Sequence, residues 1–213
     1  MASKPKRQRT RIEDIRREEL IDAAHRIFLQ EGLRGLTTTR ICAEAGMSQG
    51  ILTYYFKDKD EVLFEMVRRA NGHLMDEVVV NLKRAATRWD RLEAIIDGNF
   101  PAREFHQNVA NAWISFYAEA AHNPRYARLQ RLFYRRLRSN IASALSPLWS
   151  RGEIDHFVQG FAAMLDGFWL RRGHSDTDIS LDEAKWLLTE YTEKMLGEAL
   201  ITELKAATLN NGR

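Results

Sequence analysis

The sequence predicts an all-α chain of about nine helices, a short N-terminal group followed by a larger helical region. Three observations lead there. Apolar residues recur at three- and four-residue steps, and no segment sustains the period-2 alternation of a half-buried strand. With 12 Gly and 4 Pro in 213 residues, turn residues are too few to punctuate many short strands. A hydrophobic content of 45% is enough to fill a core.

The elements follow in order. Ile12, Ile15, Leu20, Ala23, Ala24, Ile27 and Phe28 mark one face of a first helix, stopped near Gly32 and Gly35. Thr37 or Thr38 caps a short second helix through about Ala45, and Gly46 supplies the left-handed residue that ends it. Ser48 caps a third short helix running to about Tyr55. Asp58 or Asp60 caps a long fourth one carrying Val62, Leu63, Met66, Val67, Leu74 and Val78. Pro101 separates a helix ending near Phe100 from one spanning about Arg103 to His122. Pro124 sits just inside the next start, and Pro147 ends that helix. Two further helices cover about Glu153–Arg172 and Leu181–Ala206, joined by a polar loop with Asp178 or Ser180 as cap.

Helices two and three, joined by a Gly-centred turn, form a helix-turn-helix pattern. Ile41, Cys42, Ala45 and Ile51 supply its small apolar packing. Gln49, Gly50, Thr53 and Tyr54 or Tyr55, with Ser48 at the start, are left for the outer face of the third helix. Amides and hydroxyls there can read base edges, and Gly50 lets backbone approach DNA. Lys59 at the start of the fourth helix, and Thr38 and Thr39 on the second, can meet phosphates. Charge agrees with this placement. The formal net charge is +3, but residues 1–17 carry +5 and the remainder −2. Residues 1–11, a basic arm expected to be disordered, either track DNA or form a solvated tail.

The run Thr37-Thr38-Thr39-Arg40-Ile41-Cys42-Ala43-Glu44-Ala45-Gly46-Met47-Ser48, continuing to Tyr54-Tyr55-Phe56-Lys57-Asp58-Lys59, resembles the TetR family of bacterial one-component repressors. That family runs Thr, an Ile-Ala pair, Ala-Gly-Val-Ser, then an aromatic-Phe and a Lys. Here Cys42 replaces the usual Ala, and Thr53 stands where Tyr is common. The resemblance implies a repressor that binds double-stranded operator DNA through residues 12–58, with residues 59–207 binding an effector and dimerising, and 208–213 as a tail.

DNA reading alone does not require some 150 further residues, and that region is rich in aromatics. Trp113, Phe116 and Tyr117 lie at i, i+3 and i+4 on one helix, and Phe168 and Trp169 on a later one. They are either core or an aromatic box for a quaternary ammonium, which is drawn to ring faces and helped by a nearby carboxylate. Glu104, Glu119 and Asp166 are the candidate carboxylates. The segments Ile95-Ile96-Asp97-Gly98-Asn99-Phe100, Ala112-Trp113-Ile114-Ser115-Phe116-Tyr117-Ala118 and Asp166-Gly167-Phe168-Trp169-Leu170-Arg171 are similar to the choline-responsive branch of the family. That branch represses genes converting choline to the osmoprotectant glycine betaine. It implies a small-molecule effector, choline or a relative, with Phe100, Trp113, Phe116, Tyr117, Asp166 and Trp169 as candidate contacts. By hypothesis the effector tilts the fourth helix and changes the spacing of two recognition helices.

The last two helices carry Ile154, Phe157, Val158, Phe161 and Leu165, then Leu181, Leu187, Leu188, Tyr191 and Met195. These faces either close the monomer core or build a dimer bundle; a twofold axis would let two helix-turn-helices read paired half-sites. Arg125, Arg128, Arg131, Arg135, Arg136 and Arg138 crowd one helix as a solvated face or a second basic patch. The histidines show no metal-ligand spacing, and no phosphate loop or nucleophile motif occurs, so neither cofactor nor catalysis is expected. One cysteine, no signal-peptide pattern and no long apolar run make a cytoplasmic protein the expectation.

Overall fold

The computed structural model describes residues 6–174 and 179–209 and, within them, the side chains of all but 6–11, 73, 74 and 77. Nine α-helices lie among the described residues: α1 (Lys6–Glu31), α2 (Thr38–Glu44), α3 (Gln49–Tyr55), α4 (Lys59–Arg84), α5 (Arg88–Asn99), α6 (Gln107–Ala120), α7 (Pro124–Leu145), α8 (Arg151–Gly173) and α9 (Leu181–Ala206). A 3-10 turn, Leu33–Gly35, links α1 to α2. The described residues contain no strand, only a lone antiparallel bridge between Thr87 and Thr208. With the Leu209 N–H donated to the Ala86 carbonyl, that bridge pins the start of the expected tail.

Most boundaries fall where local chemistry puts them. Thr37 and Asp58 cap α2 and α4, each accepting from a backbone N–H three residues on. Thr87 with Asp90 and Ser150 with Glu153 form reciprocal capping boxes at α5 and α8. Ser180, not Asp178, caps α9; residues 175–178 lie outside the described residues.

Three boundaries differ from expectation. α1 begins at Lys6, so the second half of the expected arm is helical. Its Lys, Arg and Gln residues carry little to bury, yet all three types are good helix formers, and a helix already running from Ile12 extends through them without a new nucleus. Residues 1–5 and the arm's basic side chains lie outside the described residues. α6 starts at Gln107 rather than near Arg103. Phe105 is buried against Phe100 and Trp169, at 5.3 and 5.1 Å between ring centres, and this draws 101–105 into turns before His106 opens the helix. α9 is broken at Gly197, whose φ of 76° is outside the range L side chains adopt readily.

Two apolar cores result. One joins α5, α8 and α9 to the end of α4 and the C-terminal half of α7. The other contains α1–α3 but also Val109, Ala112, Trp113, Phe116, Tyr126 and Leu129 from α6 and α7. The helix-turn-helix therefore has no separate core; α1 and the 3-10 turn that follows it carry the packing on α6. At this seam the Leu33 N–H donates to Ser115 Oγ at 3.0 Å, beside Gly32, whose φ is +66°. A Cβ on Gly32 would lie 2.8 Å from that hydroxyl. Farther along, a Cβ on Gly98 would lie 2.8 Å from the Val78 Cα, so α4 and α5 meet backbone to backbone.

The residues offered as a dimer face divide in the fold. Ile154, Phe157, Phe161, Leu165 and Leu188 are buried within the monomer. Val158, Leu181, Leu187 and Tyr191 are half-buried and Met195 is exposed; Leu170 of α8 and Trp186 of α9, at 60% exposure, are open as well, though the sequence did not offer them.

Candidate DNA-binding surface and effector cavity

The turn between α2 and α3 is built from backbone hydrogen bonds. Gly46, at φ +64°, donates to the Ala43 carbonyl and Met47 to that of Cys42, while Ile41, Cys42 and Leu52 are buried beneath. Ion pairs from Arg26 to Glu44 and from Arg40 to Glu31 hold α2 on α1.

Ser48, Gln49, Gly50 and Thr53 are all exposed on the face that this packing leaves free. Ser48 occupies the N-cap position of α3, yet its hydroxyl makes no capping bond. Gln49 Nε2 donates to Thr39 Oγ1 at 2.9 Å, which ties the first residue of α3 to exposed Thr39 on α2. The Thr53 hydroxyl donates to the Gly50 carbonyl at 3.0 Å. Tyr54 is 64% exposed, with its hydroxyl donated to Glu13 of α1 at 3.1 Å. Tyr55 points elsewhere: it is half-buried against the N-terminal core with its edge on the Tyr54 ring. Thr38 is half-buried. So is Lys59, at the first position of α4. That helix end carries Asp58, Asp60 and Glu61, and Asp58 and Glu61 already accept backbone N–H groups there. A phosphate would meet these carboxylates, so only the Lys59 side chain suits the contact.

Gly50 is a position that the fold does not require to be glycine. A Cβ there would have no neighbour within 4 Å, and its φ lies outside the left-handed region. Gly50→Ala is therefore expected to raise stability by up to about 1 kcal/mol through helix propensity while weakening DNA binding. Thermal melting alongside fluorescence anisotropy with labelled duplex checks both signs; unchanged DNA affinity would exclude close backbone approach at this position.

A cavity of about 80 Å³ opens between α4, α5, α6, α7 and α8. Trp113, Tyr117, Asp166 and Trp169 line it, as the sequence expected. Phe100 and Phe116 do not: both are fully buried in the cores. On α6 the step from 113 to 117 turns the helix about +40°, and the step from 113 to 116 about −60°. Tyr117 therefore follows Trp113 to the cavity, while Phe116 packs on Tyr126 and Phe133. Phe100 caps α5 against Phe105 and Phe168, behind the wall that Trp169 forms. Of the three candidate carboxylates, Glu104 and Glu119 do not line this cavity; Glu119 faces the open cleft between α6 and the helix-turn-helix.

The lining also includes Phe133 and Tyr134 of α7, which belong to the aromatic-rich set of this region, and Asn99 of α5 and Asn71 and Met75 of α4, which the sequence did not offer as contacts. Asp166 is the electrostatic centre. It accepts hydrogen bonds from Tyr117, at 3.5 Å, and from Tyr134, and it has no salt-bridge partner among the described residues. Burial pushes its carboxyl above the ordinary carboxylate pKa, a rise opposed by the two phenol hydrogen bonds. Both phenols are held well above their usual range, first by burial and then by the carboxylate beside them. Trp169 is fixed by its indole N–H, donated to the Asn99 carbonyl at 3.2 Å. Edge contacts of 6.0, 5.8 and 6.3 Å with Phe28, Phe116 and Phe133 lock Trp113. The arginines of α7 belong to the surface: Arg125 covers the Phe64 ring and Arg138 pairs with Asp155.

Comparisons with known proteins identify the family. Residues 20–66 match the family model for bacterial regulatory proteins of the tetR family, and residues 88–197 that for the C-terminal part of BetI-type transcriptional repressors. The BetI regulator of Rhizobium meliloti is 33% identical over 87% of this chain and 91% of that protein. The Brucella abortus BetI regulator is 38% identical over 75% of this chain and 81% of its own. A Rhodococcus transcriptional regulator superposes with a TM-score of 0.74 at 21% identity, covering 84% of this chain and 95% of that one. A Saccharomonospora viridis protein in complex with choline superposes with a TM-score of 0.73 at 21% identity, covering 83% and 95%.

Proposed function

This chain belongs to the TetR family of bacterial regulatory proteins, with the C-terminal domain of BetI-type repressors, and from that premise we propose that it is a homodimeric repressor released or rearranged on its operator by choline, controlling genes that convert choline to glycine betaine. One observation carries the effector: a compact aromatic cavity whose half-buried carboxylate has hydrogen-bond donors but no salt-bridge partner among the described residues. A quaternary ammonium supplies the missing charge. It brings no N–H to satisfy, and the faces of Trp113, Tyr117, Phe133 and Trp169 attract it by about 0.5–2 kcal/mol per well-placed ring. Betaine, whose carboxylate would meet Asp166, binds more weakly.

Operator contacts belong to Ser48, Gln49, Gly50, Thr53 and Thr39, with Tyr54 at the edge and Lys59 on phosphate. Exposed Trp186, Leu170 and Met195 supply apolar area for the dimer on α8 and α9. The two ends are linked by α4, which begins just after α3 and carries Asn71 and Met75 into the cavity. Occupancy of the cavity shifts α4 and with it the recognition helices.

Because coupling is reciprocal, operator DNA must change choline affinity by the same factor that choline changes operator affinity. Calorimetric titration of choline, with and without a duplex selected from random sequence, measures that factor. Equal choline affinity in both states would refute the coupling, and binding of unrelated lipophilic cations without choline would refute the effector.

A further inference from the structure

We propose that Asn71 reads the hydroxyl group of the effector, making the cavity selective for a quaternary ammonium alcohol over its deoxy or carboxylate counterparts. The inference rests on the quaternary-ammonium reading above and adds a second recognition element on a different helix from Asp166.

Asn71 lies in the apolar stripe of α4, four residues after buried Val67 and seven before buried Val78. It is itself 6% exposed and lines the cavity, with Met75 one turn farther along. Its carboxamide oxygen has no hydrogen-bond partner among the described residues. A buried amide oxygen left unpaired destabilises a fold, and a Leu in the stripe would avoid that penalty. The polar group is therefore accounted for by something that enters the cavity. A carboxamide offers one acceptor and one donor edge, interchangeable by rotation about its terminal bond. A hydroxyl both donates and accepts, so it pairs with Asn71 in either orientation. An alkyl end offers nothing, and a carboxylate only accepts while bringing the same charge as Asp166. A site built to hydrogen-bond a ligand hydroxyl rejects the analogue lacking it, because its own buried polar group is left unpaired.

The test compares choline with n-propyltrimethylammonium, which has the same shape with a methyl in place of the hydroxyl. Both are titrated calorimetrically into the full-length protein and into Asn71→Leu and Asn71→Ala. The wild type is expected to prefer choline by about tenfold or more. In both variants choline weakens by about that factor while the propyl compound binds as before or tighter, and the ligand-free melting temperature of Asn71→Leu does not fall. Loss of both ligands together in both variants would make Asn71 merely structural and overturn the proposal. Equal binding of the two ligands by the wild type would overturn hydroxyl reading while leaving the cation site intact. If the wild type binds neither, the quaternary-ammonium reading itself fails and this proposal falls with it.

Discussion

Asp166→Asn is expected to remove the response to choline while leaving the ligand-free protein at least as stable as the wild type. The two effects share one cause. A carboxylate half-buried among phenols, with no salt-bridge partner among the described residues, is held less easily in its charged form, and its pKa is raised. A carboxyl whose folded pKa exceeds its unfolded one binds protons more tightly in the native state. Stability therefore falls as pH rises from the ordinary carboxylate range, about 4, through the raised value, and the full deficit is reached above that raised value. Asparagine removes that deficit, so the variant's advantage should vanish on acidification below pH about 4. Choline reverses the balance by supplying the counter-charge. Removing one partner of a buried charge pair costs about 2–5 kcal/mol, so affinity should fall on the order of 10²-fold. At a choline concentration a hundred times the wild-type Kd, stabilisation would drop from about 2.7 to about 0.4 kcal/mol. Scanning calorimetry reads both numbers. Binding to the wild type should also weaken as pH falls through the Asp166 pKa, because the bound cation favours the ionised form; the variant should show no such dependence. A variant that keeps wild-type affinity would remove Asp166 from the site. Truncating Trp113 is a less discriminating test, since its ring packs on Phe28, Phe116 and Phe133 and its loss would destabilise the core by about 3–5 kcal/mol.

The contrast between the two sites explains what the sequence could show. The helix-turn-helix is local: caps at Thr37 and Asp58, a left-handed Gly46 and the apolar set Ile41, Cys42 and Leu52 lie within some twenty residues and determine the outer face of α3. The cavity is assembled from five helices. Periodicity identifies the face a residue occupies on its own helix, not the helix that meets it. Hence Trp113 and Tyr117 were recognisable, but Phe116, on the same apolar arc, could not be assigned to the core without knowing where α1 and α7 lie. Phe133 and Tyr134 needed the α7 neighbour relation in the same way. Asn71 did leave a signal, a polar residue inside an apolar stripe, although such a residue reads equally as a satisfied core amide until its oxygen is seen to have no partner among the described residues. The α9 break at Gly197 and the turn forced by buried Phe105 are likewise tertiary outcomes that helix periodicity does not encode.

Gln49→Ala should produce a large loss of operator affinity, because its carboxamide can contact a base edge bidentately and a twofold dimer applies the loss twice. Gln49 opens the recognition helix, is exposed, and is held by its hydrogen bond to Thr39 Oγ1. That bond uses one amide hydrogen and leaves the carboxamide oxygen and the second N–H for a base edge, with orientation set before DNA arrives. A well-placed bidentate amide–base contact discriminates by about 1–3 kcal/mol. Two half-sites double this to about 2–6 kcal/mol, or from about 30-fold to more than 10⁴-fold in operator affinity. Thr39→Ala should weaken the same contact less, since it loosens Gln49 without removing it. Gln49→Ala touches none of the proposed phosphate partners, so in that variant non-specific DNA binding and the dependence of log affinity on log salt concentration should keep their wild-type values; loss of one phosphate contact would change that slope by about 0.9. Choline affinity in the absence of DNA should also be unaltered, because α3 contributes nothing to the cavity lining. Anisotropy titrations on selected operator and on random duplex at several salt concentrations separate these outcomes. A Gln49→Ala protein that loses specific and random-duplex affinity in equal measure, or whose salt slope flattens, would show Gln49 positioning the backbone instead of reading a base.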